Sequence, residues 1–401
     1  MGMNRSQAWK LWVPCLSLVI LGVVWRGLTL PYGVAAYRHV LGWLVYSDVV
    51  TFYSERAVAA HAIPYVEQNV EYPVIIGLVI WLTGFAPGVG GYFLANAVVL
   101  GACALACLVL LSRMGPQVRT ARYALAPGLA LYTVLNWDML GVLALTAGLY
   151  YFQRRQPGRA GFSLGLGLSA KLFPGFVLPV MLACCLRTPA SERSILAALR
   201  DWRGLVTPGA LRLLGGFLVP VLVINLPFAV LNFRGWSHFW TFQSGRDRNF
   251  DSFWSLLPSV TRHRVDVVFT WGFLVGVLLV SWCVWRGASW EAGALLSLLL
   301  FLLLTKVYSP QYDLWILPLL AILACPLRLW VIYILADLAY YVAIFVFLHS
   351  FTGGQSPLGD VPTLRGLLEL SIVSREFVLG LLVVWALGRP GFPNIMGDAS
   401  E

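Results

Sequence analysis

Basic residues stand in three short interruptions of an otherwise apolar sequence. Lys306 lies within LLLTKVYSPQYDLW, Lys171 lies within SAKLFP, and the charged stretch SGRDRNFDSFW contains Arg246 and Arg248. A guanidinium group binds phosphate oxygens in bidentate fashion, and a lysine ammonium binds them as a point charge. These residues therefore indicate a site for a phosphate-bearing ligand. The alternative is that each side chain reaches from the end of a membrane span to the lipid head groups.

Asp48 is the candidate for acid–base chemistry. It lies in VYSDVVTFY, where Tyr46 and two valines surround it. Partial desolvation there raises the proton affinity of a carboxylate towards that of a useful general base. The alternative is a helix N-cap formed by Ser47 and Asp48 before a helical stretch from Val49 to Ala60. Set beside the other polar interruptions, the general base is the better interpretation.

Two further polar motifs, EYP and NWDM, supply candidates for substrate binding. In the first, Glu71 ends an extended loop and could orient substrate hydroxyls, or it could be a solvated loop carboxylate. In the second, Asn136 and Asp138 flank Trp137, and the alternative is a polar hairpin with an interfacial tryptophan. The candidate substrate-binding residues are Glu71, Tyr72, Asn136, Asp138, Lys171, Arg246, Arg248, Asp251, Lys306, Tyr308, Gln311 and Tyr312.

The composition identifies the class of protein that must position these residues. Of the 401 residues, 59% are hydrophobic and only 11% are charged, which excludes an ordinary soluble globular protein. The formal net charge of +10 does not indicate nucleic-acid binding, because the arginines are spread over many short loops. The sequence therefore predicts a polytopic membrane protein.

Apolar runs near the length needed to cross a bilayer predict an all-α fold with about twelve transmembrane helices. The first run follows Arg5 and Lys10 and is interpreted as an uncleaved span. The segment from Pro73 to Phe85 is too short to span and is interpreted as a juxtamembrane or re-entrant helix in the first extracytoplasmic loop. The predicted spans are residues 11–30, 91–112, 122–135, 138–153, 159–172, 173–186, 210–230, 266–286, 289–305, 311–326, 328–348 and 366–387. We expect one domain over residues 1–401, with a core module at about 11–186 and a C-terminal helical part at about 210–387.

Basic residues in short loops predict the orientation, because such residues are retained on the cytoplasmic side. With both termini inside, the cytoplasmic loops are 113–122, 154–159, 187–203, 286–289 and the turn near Arg328, and each contains arginine. The polar interruptions described above then all lie on the outer side. A purely structural bundle has little reason to collect ionisable groups on one face, so this convergence predicts a site.

Other patterns carry little chemistry. GLGLSAK (165–171) lacks the spacing of a phosphate-binding loop, and its glycines are expected to pack helices. Cys103 and Cys107 are interpreted as small packing residues. The five histidines show no metal-ligand spacing. They are His39, His61, His238, His263 and His349, and His238 lies in the aromatic outer loop. We expect no metal site and no cofactor.

The ordered set of motifs resembles a known family. YSDVVTFY, EYP, NWDML, the SAKLFP segment, RDRNFDSFW and KVYSPQYDLWILPLL occur in order over about residues 40–320. In this the chain resembles the GT-C superfamily of polytopic glycosyltransferases. It is most similar to the actinobacterial polyprenyl-phosphomannose-dependent α-mannosyltransferases of glycosyltransferase family 87.

This resemblance implies an activity. Such enzymes use a lipid-linked sugar phosphate and work on the extracytoplasmic side of the cytoplasmic membrane. It implies that Asp48 is the general base towards the acceptor hydroxyl, and that Arg246, Arg248 and Lys306, with Lys171 nearby, stabilise the departing polyprenyl phosphate. The reaction would invert a β-linked mannosyl phosphate into an α-mannoside. The partners implied are membrane lipids, the lipid-linked donor and a glycolipid or glycan acceptor, without nucleic acid.

Two alternatives remain open from the sequence. A GT-C transferase could use another donor, such as a polyprenyl-phosphate arabinofuranose, because both donors present the same phosphate and lipid tail. A lipid or sugar transporter also has a dozen spans with Pro and Gly breaks. Carriers, however, place polar groups near the bilayer midplane and commonly show two related halves, and this sequence shows no internal repeat.

Overall fold

The computed structural model describes residues 5–32, 44–186, 206–354, 356 and 358–392, with side chains from Lys10 onward. The predicted cytoplasmic loop 187–203 and His39 lie outside the described residues. Within them the regular structure is helical, with a single isolated bridge between Pro64 and Gln68 and no strand. The prediction of an all-α fold is therefore confirmed.

Helices occupy most of the described chain. In its first half they are α1 (Arg5–Gly27), α2 (Asp48–Glu55), α3 (Val74–Thr83), α4 (Gly88–Arg113), α5 (Ala121–Ala124), α6 (Gly128–Tyr132), α7 (Asp138–Gln153), α8 (Pro157–Ala170) and α9 (Leu178–Cys185). In its second half they are α10 (Pro208–Leu231), α11 (Phe233–Gly245), α12 (Arg262–Trp285), α13 (Trp290–Leu304), α14 (Leu317–Ile322), α15 (Leu327–Phe351) and α16 (Val361–Leu387). Short 3₁₀ helices lie at Val58–Ala60, Phe173–Val177, Phe253–Leu256 and Pro310–Trp315.

Six helices of the described part are long and apolar enough to cross a membrane, and they are α1, α4, α10, α12, α15 and α16. Shorter apolar helices accompany them at Val74–Thr83, Phe173–Cys185 and Trp290–Leu304. The outward faces of α10 and α12 carry exposed apolar side chains such as Val230 and Leu278. Lipid is the environment in which such faces are stable, so the chain is a multi-pass membrane protein.

Three predicted segments differ from the structure because local chemistry interrupts them. The predicted span 122–135 is divided into α5 and α6, since Pro127 has no amide hydrogen to continue a helix. The predicted span 311–326 is a 3₁₀ helix followed by α14, with Pro318 in its first turn. The helical stretch expected from Val49 to Ala60 ends at Glu55, because Ala57 adopts a left-handed conformation with φ of 47°.

Close helix packing joins α8 to α10. Helix α8 lies against α10, and a Cβ atom at Gly161 would overlap the carbonyl oxygen of Leu213. On the opposite side of this contact, a Cβ at Gly216 would overlap the carbonyl oxygen of Gly158. Only glycine lets the two backbones approach this closely, so these glycines pack helices. In GLGLSAK, a Cβ at Gly165 would likewise overlap the carbonyl oxygen of Phe217 on α10, which confirms the predicted packing role for that glycine.

Three of the predicted cytoplasmic loops, namely 113–122, 154–159 and the turn near Arg328, lie together at one end of the described bundle. The Arg154 side chain donates a hydrogen bond to the carbonyl of Arg113 (2.9 Å), and Arg122 donates to the carbonyl of Cys325 (3.0 Å). Helix α7 begins at Asp138 and ends near Arg154, so the NWDM motif lies at the other end. That other end contains the candidate site.

Candidate active site

A cavity of about 400 Å³ lies where the polar interruptions converge. Its walls come from the start of α2, the loops before α3 and α7, the end of α8, α11 to α13, and the segment around Pro310–Trp315. The predicted site residues on its surface are Asp48, Glu71, Tyr72, Asn136, Lys171, Arg246, Lys306, Gln311 and Tyr312. Tertiary folding thus gathers residues that are more than 260 positions apart in the chain.

Asp48 is held in place by hydrogen bonds from three directions. Its backbone N–H donates to the carbonyl of Leu135 (2.8 Å), the Tyr46 hydroxyl donates to Oδ1 (2.7 Å) and Asn136 Nδ2 donates to Oδ2 (2.7 Å). Ser47 does not cap α2 with its side chain, because its hydroxyl donates to the carbonyl of Val134. Asp48 is half-buried, and the loss of water around its carboxyl raises its pKa. The hydrogen bonds from Tyr46 and Asn136 act in the opposite direction.

Asn136 has a fixed orientation. Its Oδ1 accepts the backbone N–H of Trp137 (2.6 Å), so its Nδ2 faces Asp48 and the hydroxyl of Tyr72 (2.9 Å). Trp137 itself is fully buried and donates its indole N–H to Asn96 Oδ1 (2.7 Å). The interfacial position considered for this tryptophan is therefore wrong, and its burial anchors the loop that presents Asn136.

Lys171 enters the cavity where α8 ends. The residue is extended (φ −149°), which turns its side chain away from the helix axis, and Nζ lies 3.1 Å from Asp138 Oδ2 and 5.3 Å from the centre of the Tyr72 ring. Asp138 is fully buried behind the cavity surface, and its Oδ1 accepts the indole N–H of Trp315 (2.8 Å). Asp138 thus orients the lysine and is not on the cavity surface itself.

Two more cations, Lys306 and Arg246, line the same cavity. Lys306 Nζ donates to Asp266 Oδ1 (2.7 Å), a carboxylate on α12. Arg246 follows α11 and packs its guanidinium on the Phe242 ring at 5.8 Å from its centre. Within the described part of the chain, no carboxylate forms an ion pair with Arg246. Arg246 therefore offers the cavity a positive charge that is outside any ion pair of the described residues, although it also interacts over a longer distance with the Asp251 carboxylate.

Other predicted residues fill the remaining surface. Glu71 pairs with the guanidinium of Arg56, so its charge is compensated from the side of α2. Gln311 and Tyr312 lie on the cavity wall in the 3₁₀ helix, and the Tyr312 ring packs on Trp315 with the ring centres 4.0 Å apart. These groups surround the cavity with hydrogen-bonding partners suited to a polyhydroxylated ligand.

Besides Asp138, three predicted site residues lie behind the cavity and not on it. Arg248 donates hydrogen bonds to the carbonyls of Leu257, Pro258 and Val260 and so clamps the turn that follows its own loop. Asp251 and Tyr308 are buried, with exposed fractions of 4% and 1%. Burial raises the pKa of Asp251 to about 6.

Sequence reasoning did not select several residues that complete the site. Tyr46 holds the Asp48 carboxylate, Asp266 holds Lys306, and Gln243 and Ser309 lie on the cavity surface. Tyr46 and Ser309 belong to the motifs VYSDVVTFY and KVYSPQYDLW, so the sequence already indicated that they lie near the site. Asp266 was not indicated in this way, because it lies 40 residues from its partner in what reads as the start of a span.

Aromatic rings form the apolar part of the lining, which is contributed by Phe173, Phe176, Phe239, Phe242, Phe269, Phe301 and Trp315. Among the described residues, no group of three His, Cys, Asp or Glu side chains is placed to hold a metal ion. The arrangement brings together one carboxylate suited to accept a proton, three cations suited to hold an anion, and rings suited to an apolar chain or a sugar face.

Comparisons with known proteins are sparse. No protein-family model matches the chain, and no curated protein matches it. The chain is similar to the crystal structure of ArnT from Cupriavidus metallidurans bound to undecaprenyl phosphate, with 15% sequence identity and a TM-score of 0.43. The match covers 94% of this chain and 78% of that chain. A likeness at this TM-score carries no argument about function, which must come from the site and its motifs.

Proposed function

We propose that this chain is a GT-C membrane glycosyltransferase that transfers a mannosyl residue from polyprenyl-phosphate mannose to a glycolipid or glycan acceptor. The observation that carries the proposal is that Asp48 shares one cavity with Lys171, Arg246 and Lys306. A base and an anion-binding group on one cavity are the two functions that glycosyl transfer from a sugar phosphate requires. The resemblance of the ordered motifs to the GT-C family implies the same assignment.

In the proposed reaction, the Asp48 carboxylate takes the proton of the acceptor hydroxyl. The acceptor oxygen forms a bond to the anomeric carbon of mannose, and the bond from that carbon to the phosphate oxygen breaks. The electron pair leaves with the polyprenyl phosphate, and the configuration at the anomeric carbon is inverted from β to α. No electron acceptor or further reactant is needed for the balance.

The surroundings of Asp48 support its role as the base. Burial raises the pKa of the carboxyl, which strengthens it as a proton acceptor relative to a solvated aspartate. Tyr46 and Asn136 each donate to a different carboxylate oxygen, which favours the ionised form and fixes the direction of the remaining lone pairs. The carboxylate is thereby oriented before any acceptor binds.

The cations support a phosphate as leaving group. Lys171 and Lys306 each have a carboxylate behind them, Asp138 and Asp266, so their ammonium groups are oriented but largely neutralised. Arg246 adds a guanidinium without an ion-pair partner among the described residues, and a monoanionic phosphodiester would neutralise it. The phosphate charge is thus compensated by side chains, and we propose that the enzyme needs no metal or other cofactor.

The location of the cavity supports a lipid-linked substrate on the extracytoplasmic side of the cytoplasmic membrane. Phe239 and Phe242 of α11 and Phe269 of α12 line the cavity beside the exposed apolar faces of α10 and α12. The described arginine-rich loops at 113–122 and 154–159, which are predicted to be cytoplasmic, lie at the opposite end of the bundle. A polyprenyl chain could therefore remain in the membrane while its phosphate reaches the cations.

The test is sugar transfer by the purified protein in nanodiscs, with labelled polyprenyl-phosphate mannose and a panel of mannosylated lipid acceptors. Asp48→Asn removes the base and keeps the shape, so we expect kcat to fall about 100- to 10,000-fold. Asp247→Asn is the matched control, because Asp247 is an exposed carboxylate of the outer loop that does not line the cavity.

Each other outcome has a defined meaning. Equal activity of wild type and Asp48→Asn would remove Asp48 from the mechanism. Turnover of polyprenyl-phosphate arabinofuranose but not of the mannose donor would keep the transferase class and change the sugar. If the protein moved lipid from one leaflet of a liposome membrane to the other and turned over neither donor, the lipid-transporter alternative would be favoured.

A further inference from the structure

Arg375 is a buried cation that the proposed reaction does not use directly. It lies on α16 with an exposed fraction of 2%, far in sequence from every motif discussed above. Its Nη2 donates to Glu376 Oε1 (2.7 Å), so the charge is compensated on its own helix. Removing a charged pair from water costs free energy, and that cost is offset only when the pair has good geometry and further hydrogen bonds.

The guanidinium of Arg375 lies in the corner formed by two tyrosine rings whose planes are nearly perpendicular (87°). Its Cζ is 3.5 Å from the centre of the Tyr308 ring and 4.3 Å from the centre of the Tyr340 ring. Arginine stacks on aromatic faces through its planar, weakly hydrated guanidinium, and lysine cannot reproduce that geometry. Tyr308 is two residues after Lys306, so this stack fixes one cation-bearing segment against α16.

The same guanidinium also holds the second cation-bearing loop. Nη2 donates to the carbonyl oxygen of Asp251 (3.0 Å), and the hydroxyl of Tyr340 donates to Asp251 Oδ2 (3.3 Å). Asp251 belongs to the loop that begins with Arg246. Arg375 therefore contacts both of the segments that present cations to the cavity, the Arg246 loop and the Lys306 segment.

The two segments are also joined to each other. The backbone N–H of Asn249 donates to the carbonyl of Lys306 (2.8 Å), and the Trp254 indole donates to the carbonyl of Leu304 (2.8 Å). Behind this joint, the Tyr308 hydroxyl donates to the buried Asp313 (3.1 Å). Both segments are irregular loops, so their relative placement depends on these contacts and on the Arg375 guanidinium, which packs against both.

We propose that Arg375 is a positioning residue that holds the Arg246 and Lys306 segments together as one anion-binding wall. This inference rests on the proposed function, in which these two cations bind the donor phosphate. It also accounts for Asp251 and Tyr308, which occur in the motifs yet lie behind the cavity. They connect the wall to Arg375 and do not contact the substrate.

The experiment measures the Kd of undecaprenyl phosphate for the full-length protein in nanodiscs, with Tm recorded for every variant. A reversibly unfolded fraction raises the apparent Kd in inverse proportion to the folded fraction. Kd is therefore measured well below the Tm of each variant, where nearly all of the protein is folded and a loss of stability alone leaves Kd unchanged. For Arg375→Ala we expect Kd to rise about tenfold, with a smaller rise for Arg375→Lys, which keeps the charge but not the planar stack. Arg389→Ala is the matched control, because Arg389 follows the same helix and stacks on Trp385 (4.6 Å) but donates its hydrogen bond to the carbonyl of Leu323, outside both cation-bearing segments.

Two further variants separate position from charge and guard against misfolding. Arg375→Ala combined with Glu376→Gln keeps the net charge, so a raised Kd there reports geometry and not the electric field. Tyr308→Leu removes the stack while Arg375 keeps its hydrogen bonds, and we expect a Kd raised in the same direction. An unchanged Kd in Tyr308→Leu, or in a folded Arg375→Ala variant, would overturn the positioning role.

This design distinguishes failure of the inference from failure of the proposed function. If the wild type does not bind undecaprenyl phosphate, the lipid-phosphate site itself is wrong. If the wild type binds it and Arg246→Ala weakens binding while the Arg375 and Tyr308 variants do not, the site is right and the positioning role is wrong.

Discussion

Replacement of Asn136 by leucine should shift the pH dependence of catalysis. Asn136 Nδ2 donates to Asp48 Oδ2 at 2.7 Å, a hydrogen bond that favours the ionised carboxylate. Leucine has nearly the same shape but cannot donate, so the pKa of Asp48 should rise further above its ordinary value. A base works only when ionised, and its activity is therefore lost as the pH falls through its pKa. The acid limb of the pH–rate profile should move to higher pH.

The size of the effect follows from the strength of the bond. A hydrogen bond to a charged group contributes about 1.5–3 kcal/mol, which corresponds to about a tenfold to hundredfold change in proton affinity. On the acid limb, kcat/KM of Asn136→Leu should be lower than that of the wild type by this factor. At high pH, where Asp48 is ionised in both proteins, the ratio should approach one.

The assay is kcat/KM with labelled donor over a range of pH, with protein folding checked at each pH. Tyr46→Phe is the matched variant, because it removes the other donor to Asp48 (Tyr46 to Oδ1, 2.7 Å) and should shift the acid limb in the same direction. Asn136→Asp, which places a second carboxylate beside the first, should shift it further. A drop of equal size at every pH would refute the reasoning, since it would show that Asn136 acts on the substrate or on folding and not on the base.

Three further predictions follow from the ion pairs and the helix packing. Lys306→Ala should raise KM for the donor about tenfold, and transfer at the wild-type rate would remove this lysine from the phosphate site. Asp138→Ala leaves the cavity-lining Lys171 without its partner and should destabilise the protein by up to about 3 kcal/mol, the lower end of the range for a fully buried pair, because the lysine side chain is 14% exposed. The loss is read as a lower midpoint of unfolding in detergent, and Asp138→Asn should lose less because it keeps an acceptor for Trp315. Gly161→Leu should separate α8 from α10 and lower Tm, while Gly215→Leu, which meets no neighbour within 4 Å, should leave Tm nearly unchanged.

The helices were predictable because each depends on local properties. Long apolar runs predict membrane helices since the hydrocarbon core fixes the required length, and the structure has helices in every predicted interval. The errors occurred where one residue interrupts a run, as Pro127 divides the span predicted at 122–135. Hydropathy averaged over a window does not register such a break.

The convergence of the polar motifs was also predictable, because a topology derived from the arginine-rich loops assigns each interruption to one end of the bundle. Asp48, Lys171 and Lys306 were placed together on that basis, and the structure has all three on one cavity. The sequence by itself thus determined the class of protein, the helices and the end of the bundle that contains the site.

Only the tertiary structure decided which motif residues face the cavity and which lie behind it. Irregular loops have no period from which a side-chain direction can be read, so Arg246 and Arg248 were indistinguishable in the sequence although only Arg246 lines the cavity. Partners distant in the chain, such as Asn136 for Asp48 and Asp266 for Lys306, could not be paired either. Hydrogen bonds and ion pairs depend on distances of a few ångströms, and only the packing of the helices determines those distances.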